Sequence, residues 1–166
     1  NTKDGIHWKL LTTLPIKSAK EASQCMRWYS YRWLIERFHY VLKSGCGIED
    51  LQLKQAPSLM KAVAVYSMAA FTIMHLTYQS RETPDVTCEV ALKRHQWEVL
   101  YILKFKTKKL PKQPPTLKEA TKWIAQMGGY LARNNDGPPG LKAVWTGYEL
   151  LLQSVALYEI LKQKSG

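Results

Sequence analysis

Tyr29, Arg32, Glu36, Tyr40 and Lys43 follow one another at spacings of three, four, four and three residues. On a helix turning about 100° per residue, these five positions fall within an arc of roughly 80°. The arrangement sets one carboxylate between two cations along a front roughly 20 Å long. Such a front is too long for a compact small-molecule pocket and suits a polymer that carries repeated negative charge. Tyr31, Leu34, Ile35, Phe38, Val41 and Leu42 fall on the opposite side and read as an apolar back that packs. The spacing also has a plainer reading. Arg32 and Glu36 form an i,i+4 pair of the kind found on many solvated helix faces, worth only ~0.2–0.5 kcal/mol and in the weaker, acid-after-base order.

The elements around this stretch can be read from their boundary residues. Ser18-x-x-Glu21 has the form of a capping box and opens one long helix that runs to about Ser44, with Gly45 and Gly47 as stop signals. Upstream, Ile6 to Thr13 reads as a short strand bounded by Gly5 and Leu14-Pro15. A lone strand is not stable, so its neighbours are expected upstream of residue 1, and the chain, which begins at Asn1 without Met, reads as a fragment of a longer protein. Glu49 and Asp50 fall in a loop, as further acids near a metal or as ordinary solvated residues. Pro57 marks a helix start, and Ser58 to about Gln79 is apolar on most sides, which predicts a helix central to the core. One or two helical segments, beginning near Asp85 or Thr87, run to Phe105. Lys104 to Lys112 is a lysine-rich break, either a phosphate-contacting loop or a solvated connection. Thr116-x-x-Glu119 opens a further helix that the Gly128-Gly129 pair could bend. Asn134 to Gly140 is a strong turn, and a last helix spans about Leu141 to Lys162 with a wide apolar stripe that includes Val144, Trp145, Tyr148, Leu151, Val155 and Tyr158.

Composition narrows the class of partner. The 166 residues carry a net charge of +11, an excess that points to a polyanion, nucleic acid before an anionic membrane. Six tryptophans and nine tyrosines belong to a folded chain rather than a disordered one. Three cysteines, Cys25, Cys46 and Cys88, allow no closed disulfide framework and read as reduced thiols. Neither they nor the four histidines show zinc-ligand spacing. The most apolar run, Ala62 to Leu76, is shorter than the ~20 residues a bilayer requires, so it reads as a buried helix and no membrane partner is expected. No signal peptide is recognisable.

Tyr29-x2-Arg32-x3-Glu36-x6-Lys43 resembles the Y-R-E-K signature of the DDE transposases of the IS-four type, the insertion-sequence family that includes the transposase of transposon five. Trp33, Ile35, Phe38, His39 and the run Lys43 to Gly47 also sit where that family has R-W-x-I-E-x-F-H followed by K-x-G, and weaker similarity extends from about Trp8 to Gln163. The resemblance implies a mainly α chain: a short N-terminal β strand, then a helical bundle, forming the C-terminal part of an RNase H-like enzyme. Residues 1–16 would end a β-rich insertion, 17–50 would carry the catalytic glutamate helix, and 51–166 would form a helical dimerisation and synapsis region.

The resemblance further implies that Glu36 is the third carboxylate of a site holding two magnesium or manganese ions for strand cleavage, hairpin formation and strand transfer. Both preceding aspartates are expected upstream of residue 1, because Asp4, Asp50, Asp85 and Asp136 do not lie in apolar strands; this chain alone would then be inactive. Tyr29, Arg32 and Lys43 would contact phosphates at the double-stranded transposon end. Trp8 would stack on a flipped base, with a core or sheet-face tryptophan as its plainer reading, and Trp33 would help displace or hold that base, with packing as its plainer reading. Tyr40 departs from relatives that carry a further basic residue there. The last helix would join two copies in a synaptic homodimer, and the setting would be the bacterial cytoplasm, at the nucleoid. Two other classes remain open: a non-catalytic helical DNA-binding or dimerisation module from a decayed transposase, and a helical protein-interaction domain with no role on DNA.

Overall fold

The computed structural model describes residues 9–163, which divide into two compact units, one ending at Arg37 and one beginning at Phe38. Among the described residues there are helices and turns but no strand. The expected N-terminal strand is therefore corrected for Lys9 to Thr13, which form none; residues 1–8, Trp8 among them, lie outside the described residues.

The first unit holds α1 (Ala19–Ser30) and the start of α2 (Arg32–Tyr40). Ser18 caps α1 as its spacing predicts, its Oγ accepting from the Glu21 N–H at 3.3 Å. The reciprocal half of the box is displaced by one residue: Glu21 accepts from the N–H of Lys17 at 2.6 Å. The single long helix expected from Ser18 to Ser44 is interrupted. Ser30 Oγ donates to the Arg27 carbonyl at 2.6 Å, and the Tyr31 N–H turns to Trp28 O, so the ladder shifts from i−4 towards i−3 bonding at Tyr31. The apolar back is also corrected in part: Tyr31, Leu34 and Ile35 are exposed, Ile35 by 60%.

The second unit contains the core. After Tyr40 the chain enters a π turn, Val41–Gly45, closed by Cys46 N–H donating to Val41 O at 2.9 Å. Val41 and Leu42 are buried there. Gly47 ends the segment at φ +61°, a left-handed conformation that favours glycine. Three further helices pack on α6 (Leu141–Gln163): α3 (Ala56–Glu82), α4 (Arg94–Phe105) and α5 (Leu117–Met127). Their fully buried side chains include Ile73 and Leu76 from α3, Leu100 from α4, Ile124 from α5 and Leu151 from α6. The capping box at Thr116 is present in full: Thr116 Oγ1 accepts from Glu119 N–H at 3.2 Å, and Glu119 Oε2 accepts from Thr116 N–H at 2.9 Å.

Two expectations for this unit are revised. The α3 segment is longer than its sequence signals, at 27 residues, and is not buried all round: its buried residues are Ala70, Ile73, Leu76 and Thr77. Met60, Met68 and Phe71 are exposed, Met68 by 72%. By length and composition this helix could cross a bilayer, but its second half belongs to the same core as Leu100 and Ile124. The glycine pair does not bend α5; the helix stops at Met127, with Gly128 as its C-cap and Gly129 at φ +92°.

Cys25, Cys46 and Cys88 are free, in keeping with the expected reduced thiols. Burial pushes the Cys88 thiol up to about 12, with Glu89 adding to the shift. The Cys46 thiol rises to about 11 from burial and the nearby Glu149. Both are thus protonated and unreactive at neutral pH.

Candidate functional site

In the first unit three of the sequence-selected residues come together. Arg32 Nη1 lies 2.5 Å from Glu36 Oε1, and the Arg32 guanidinium carbon lies 5.4 Å from the Tyr29 ring centroid. The α2 geometry produces the first contact, because residues four apart stack on one helix face. Crossing the Tyr31 interruption, the guanidinium reaches back to Tyr29 as well, a cation–π arrangement. Arg32 and Glu36 side chains keep 49% and 44% of their exposure, so the pair is solvated and its net contribution to stability is only ~0.2–1 kcal/mol. The chemical consequence is larger than the energetic one. The carboxylate is accessible to a cation, and the arginine keeps N–H groups for a phosphate. Trp33 is exposed beside them.

Lys43 lies in the second unit, inside the π turn, where uniform α-helical spacing no longer applies. Its Nζ pairs with Glu49 Oε1 at 2.6 Å. Glu49 therefore serves as the ammonium's partner rather than joining a cluster of acids. Tyr40 is exposed at the start of this turn. Among the described residues, no three His, Cys, Asp or Glu side chains converge as metal ligands would. Glu36 is one hard oxygen donor, and the described residues by themselves do not make up a two-metal site.

The second unit also presents features that spacing did not reveal. A cleft of about 590 Å³ is lined by Arg81, Lys118, Lys122 and Arg133, with Asp136 as the one carboxylate on its wall. Asp136 Oδ2 is engaged by the backbone N–H of Arg133 at 2.8 Å. Arg81 comes from α3, whereas the other three cations come from α5 and the turn that follows it, so the cleft joins two stretches far apart in sequence and no local motif could announce it.

The α6 stripe is buried in part: Val144, Tyr148, Leu151 and Val155 lie in the bundle, whereas Tyr158 is exposed. Outside the expected stripe, Leu150 and Leu157, seven residues apart and hence on one face, are exposed together with Ile160. The family model for the transposase Tn5 dimerisation domain matches residues 68–160, more than half of the chain. The chain belongs to this family. The match runs from the middle of α3 to near the end of α6, so it takes in part of α3, all of α4 and α5 and most of α6. Within this Tn5-type domain, α6 is the helix on which the other three pack. Its buried face organises the fold, and its second apolar face is left at the surface.

Proposed function

We propose that the chain is the C-terminal part of a cut-and-paste DNA transposase of the IS-four type, carrying the Y-R-E-K residues ahead of a helical region that joins two copies. Membership of the Tn5 dimerisation family supports the transposase setting. The observation that carries the site is the Tyr29–Arg32–Glu36 cluster, in which a carboxylate and a phosphate-binding guanidinium share one exposed helix face. In this reading Glu36 supplies one ligand to a magnesium or manganese site, with two further carboxylates contributed by an RNase H-like domain outside this chain. The bound cations would supply the Lewis acidity for phosphoryl transfer. Arg32, Tyr29 and Lys43 hold the phosphates of the transposon end, Trp33 and Trp8 attend a displaced base, and the net charge of +11 draws the duplex in.

Arg32 and Lys43 are each paired with a glutamate. Phosphate binding exchanges one anionic partner for another. Arg32→Ala and Lys43→Ala are each expected to weaken binding to the transposon end and to lower the salt dependence by about one released counterion per contact, a change of ~0.9 in the slope of log K against log salt. Titrating the duplex at several salt concentrations measures it, and an unchanged slope removes that residue from the interface.

The second apolar face of α6 serves the homodimer in this reading. Leu150 and Leu157 repeat at the seven-residue interval of helix-on-helix packing, and Ile160 extends the apolar surface. Leu157→Glu is expected to convert dimer to monomer in sedimentation velocity without loss of helical content, because Leu157 is 58% exposed and makes no part of the buried core. A dimer that persists places the contact on another surface.

A further inference from the structure

The lysine-rich segment after α4 is neither a helix nor a loose connection. Leu110 and Pro111 are half-buried and Pro115 is buried, so apolar residues pin the segment while Lys106, Lys108, Lys109 and Lys112 stay exposed. Its far end is fastened by Cys88 N–H donating to Pro115 O at 2.9 Å, by Leu117 N–H donating to Val86 O at 2.7 Å and by the bridge between Thr87 and Thr116. Its near end leaves α4 beside the packed rings of Tyr101, Phe105 and Trp123, with Phe105 and Trp123 edge-on at 5.1 Å. Lys104, in the last turn of α4, is held by Gln126 Oε1 at 2.7 Å. No acid occurs between residues 104 and 112, and among the described residues none of its lysines forms an ion pair.

Lys106 caps α4 at φ +52°, ψ +40°, the left-handed conformation in which helices usually place glycine. A side chain there is strained, and the chain nonetheless carries a long cation at that position. Backbone strain retained where a simpler residue would fit points to use of the side chain.

We propose that this segment is a phosphate-contacting strap for duplex DNA, built into the dimerisation domain and separate from the Arg32 and Lys43 contacts. The inference rests on the DNA-transposase reading. Four exposed, unpaired ammonium groups on a pinned backbone track offer point charges to successive phosphates. The neighbouring rings are occupied with one another rather than arranged as a stacking platform, so the strap reads charge and not base sequence.

The test is a salt titration of a short mixed-sequence duplex against the full chain. Replacing Lys108 and Lys109 by Ala is expected to lower the slope by nearly two (~0.9 per contact) and affinity by about tenfold or more. A control pair, Lys61→Ala with Lys142→Ala, removes the same charge elsewhere and is expected to leave the slope near that of the unsubstituted chain. Lys106→Gly separates the strap from folding: relief of the left-handed strain is expected to raise or hold the melting temperature while DNA affinity falls. If the strap pair changes the slope no more than the control pair, or if Lys106→Gly binds as well as the original, the strap proposal fails and the transposase reading stands. If the unsubstituted chain shows no salt-dependent binding, both fall together.

Discussion

Glu36→Gln in the full-length enzyme is expected to lower strand cleavage by about a thousandfold or more while leaving transposon-end binding within a few-fold. The physical reason, in the proposed reading, is that the two operations use different chemical groups. Cleavage depends on a charged, hard oxygen donor, and a carboxamide keeps the shape of the side chain but loses the charge that holds a divalent cation. Stabilisation of this kind is worth several kcal/mol, and each 1.36 kcal/mol is a factor of ten in rate, so ~10³ is the scale of the loss. In the reading proposed above, binding rests instead on Arg32, Lys43 and Tyr29. Removing the carboxylate frees the Arg32 guanidinium, now 2.5 Å from Glu36, so affinity for the end is expected to hold or rise slightly. Gel retardation of the labelled end, followed by a nicking assay in magnesium, separates the outcomes. Retained nicking takes Glu36 out of the metal site. The chain would then be a non-catalytic module of a transposase, with the α6 surface as its principal working part.

Gly147→Ala is expected to have the largest effect on stability. The α5 and α6 backbones meet at Gly147 and Gly128. A Cβ at Gly147 would overlap the carbonyl oxygen of Ile124, and one at Gly128 would overlap that of Ala143. Both obstacles are backbone atoms in helices that cannot move aside cheaply, and Ile124 and Val144 beside them are fully buried. A methyl group forced into such a contact is expected to cost about 3 kcal/mol or more, near the top of the range for overpacking. That corresponds to a fall in melting temperature of roughly 10 °C. Gly140→Ala is the control: nothing lies within 4 Å of a Cβ built there, so its melting curve should scarcely move. A small effect at Gly147 would mean that the two helices can separate slightly without disturbing the core. Measuring oligomeric state alongside stability shows whether the dimer contact depends on this crossing, since Leu150 and Leu157 lie on the same helix as Gly147.

The reach of the sequence can be judged from particular residues. The helix starts were legible because caps are local chemistry: Ser18 and Thr116 bond backbone N–H groups three residues away, and Pro57 sits in the first turn of α3. The Arg32–Glu36 contact was legible because a four-residue interval alone sets its distance. The net charge and the free thiols likewise needed only composition. Spacing did not show the interruption at Tyr31 or the π turn that carries Lys43, because a side-chain bond from Ser30 and the packing of Val41 and Leu42 override the uniform helix on which the stripe was drawn. Nor could it show that α3 is covered on one side and only over its second half; hydropathy registers apolar residues, not what lies against them.

The basic cleft of Arg81, Lys118, Lys122 and Arg133, the pinned course of the lysine strap and the Gly128–Gly147 crossing belong entirely to tertiary structure. Each joins segments distant in the chain, and their meeting depends on how α3, α4 and α5 settle on α6. The sequence by itself determined the capped helix starts at Ser18 and Thr116, the local pairing of Arg32 with Glu36 and the net positive charge, since these follow from neighbours a turn apart or from composition. Only the tertiary structure decided which apolar residues of α6 are consumed by the core and which stay exposed, because leucines occur on both sides of the helix and differ in what packs against them.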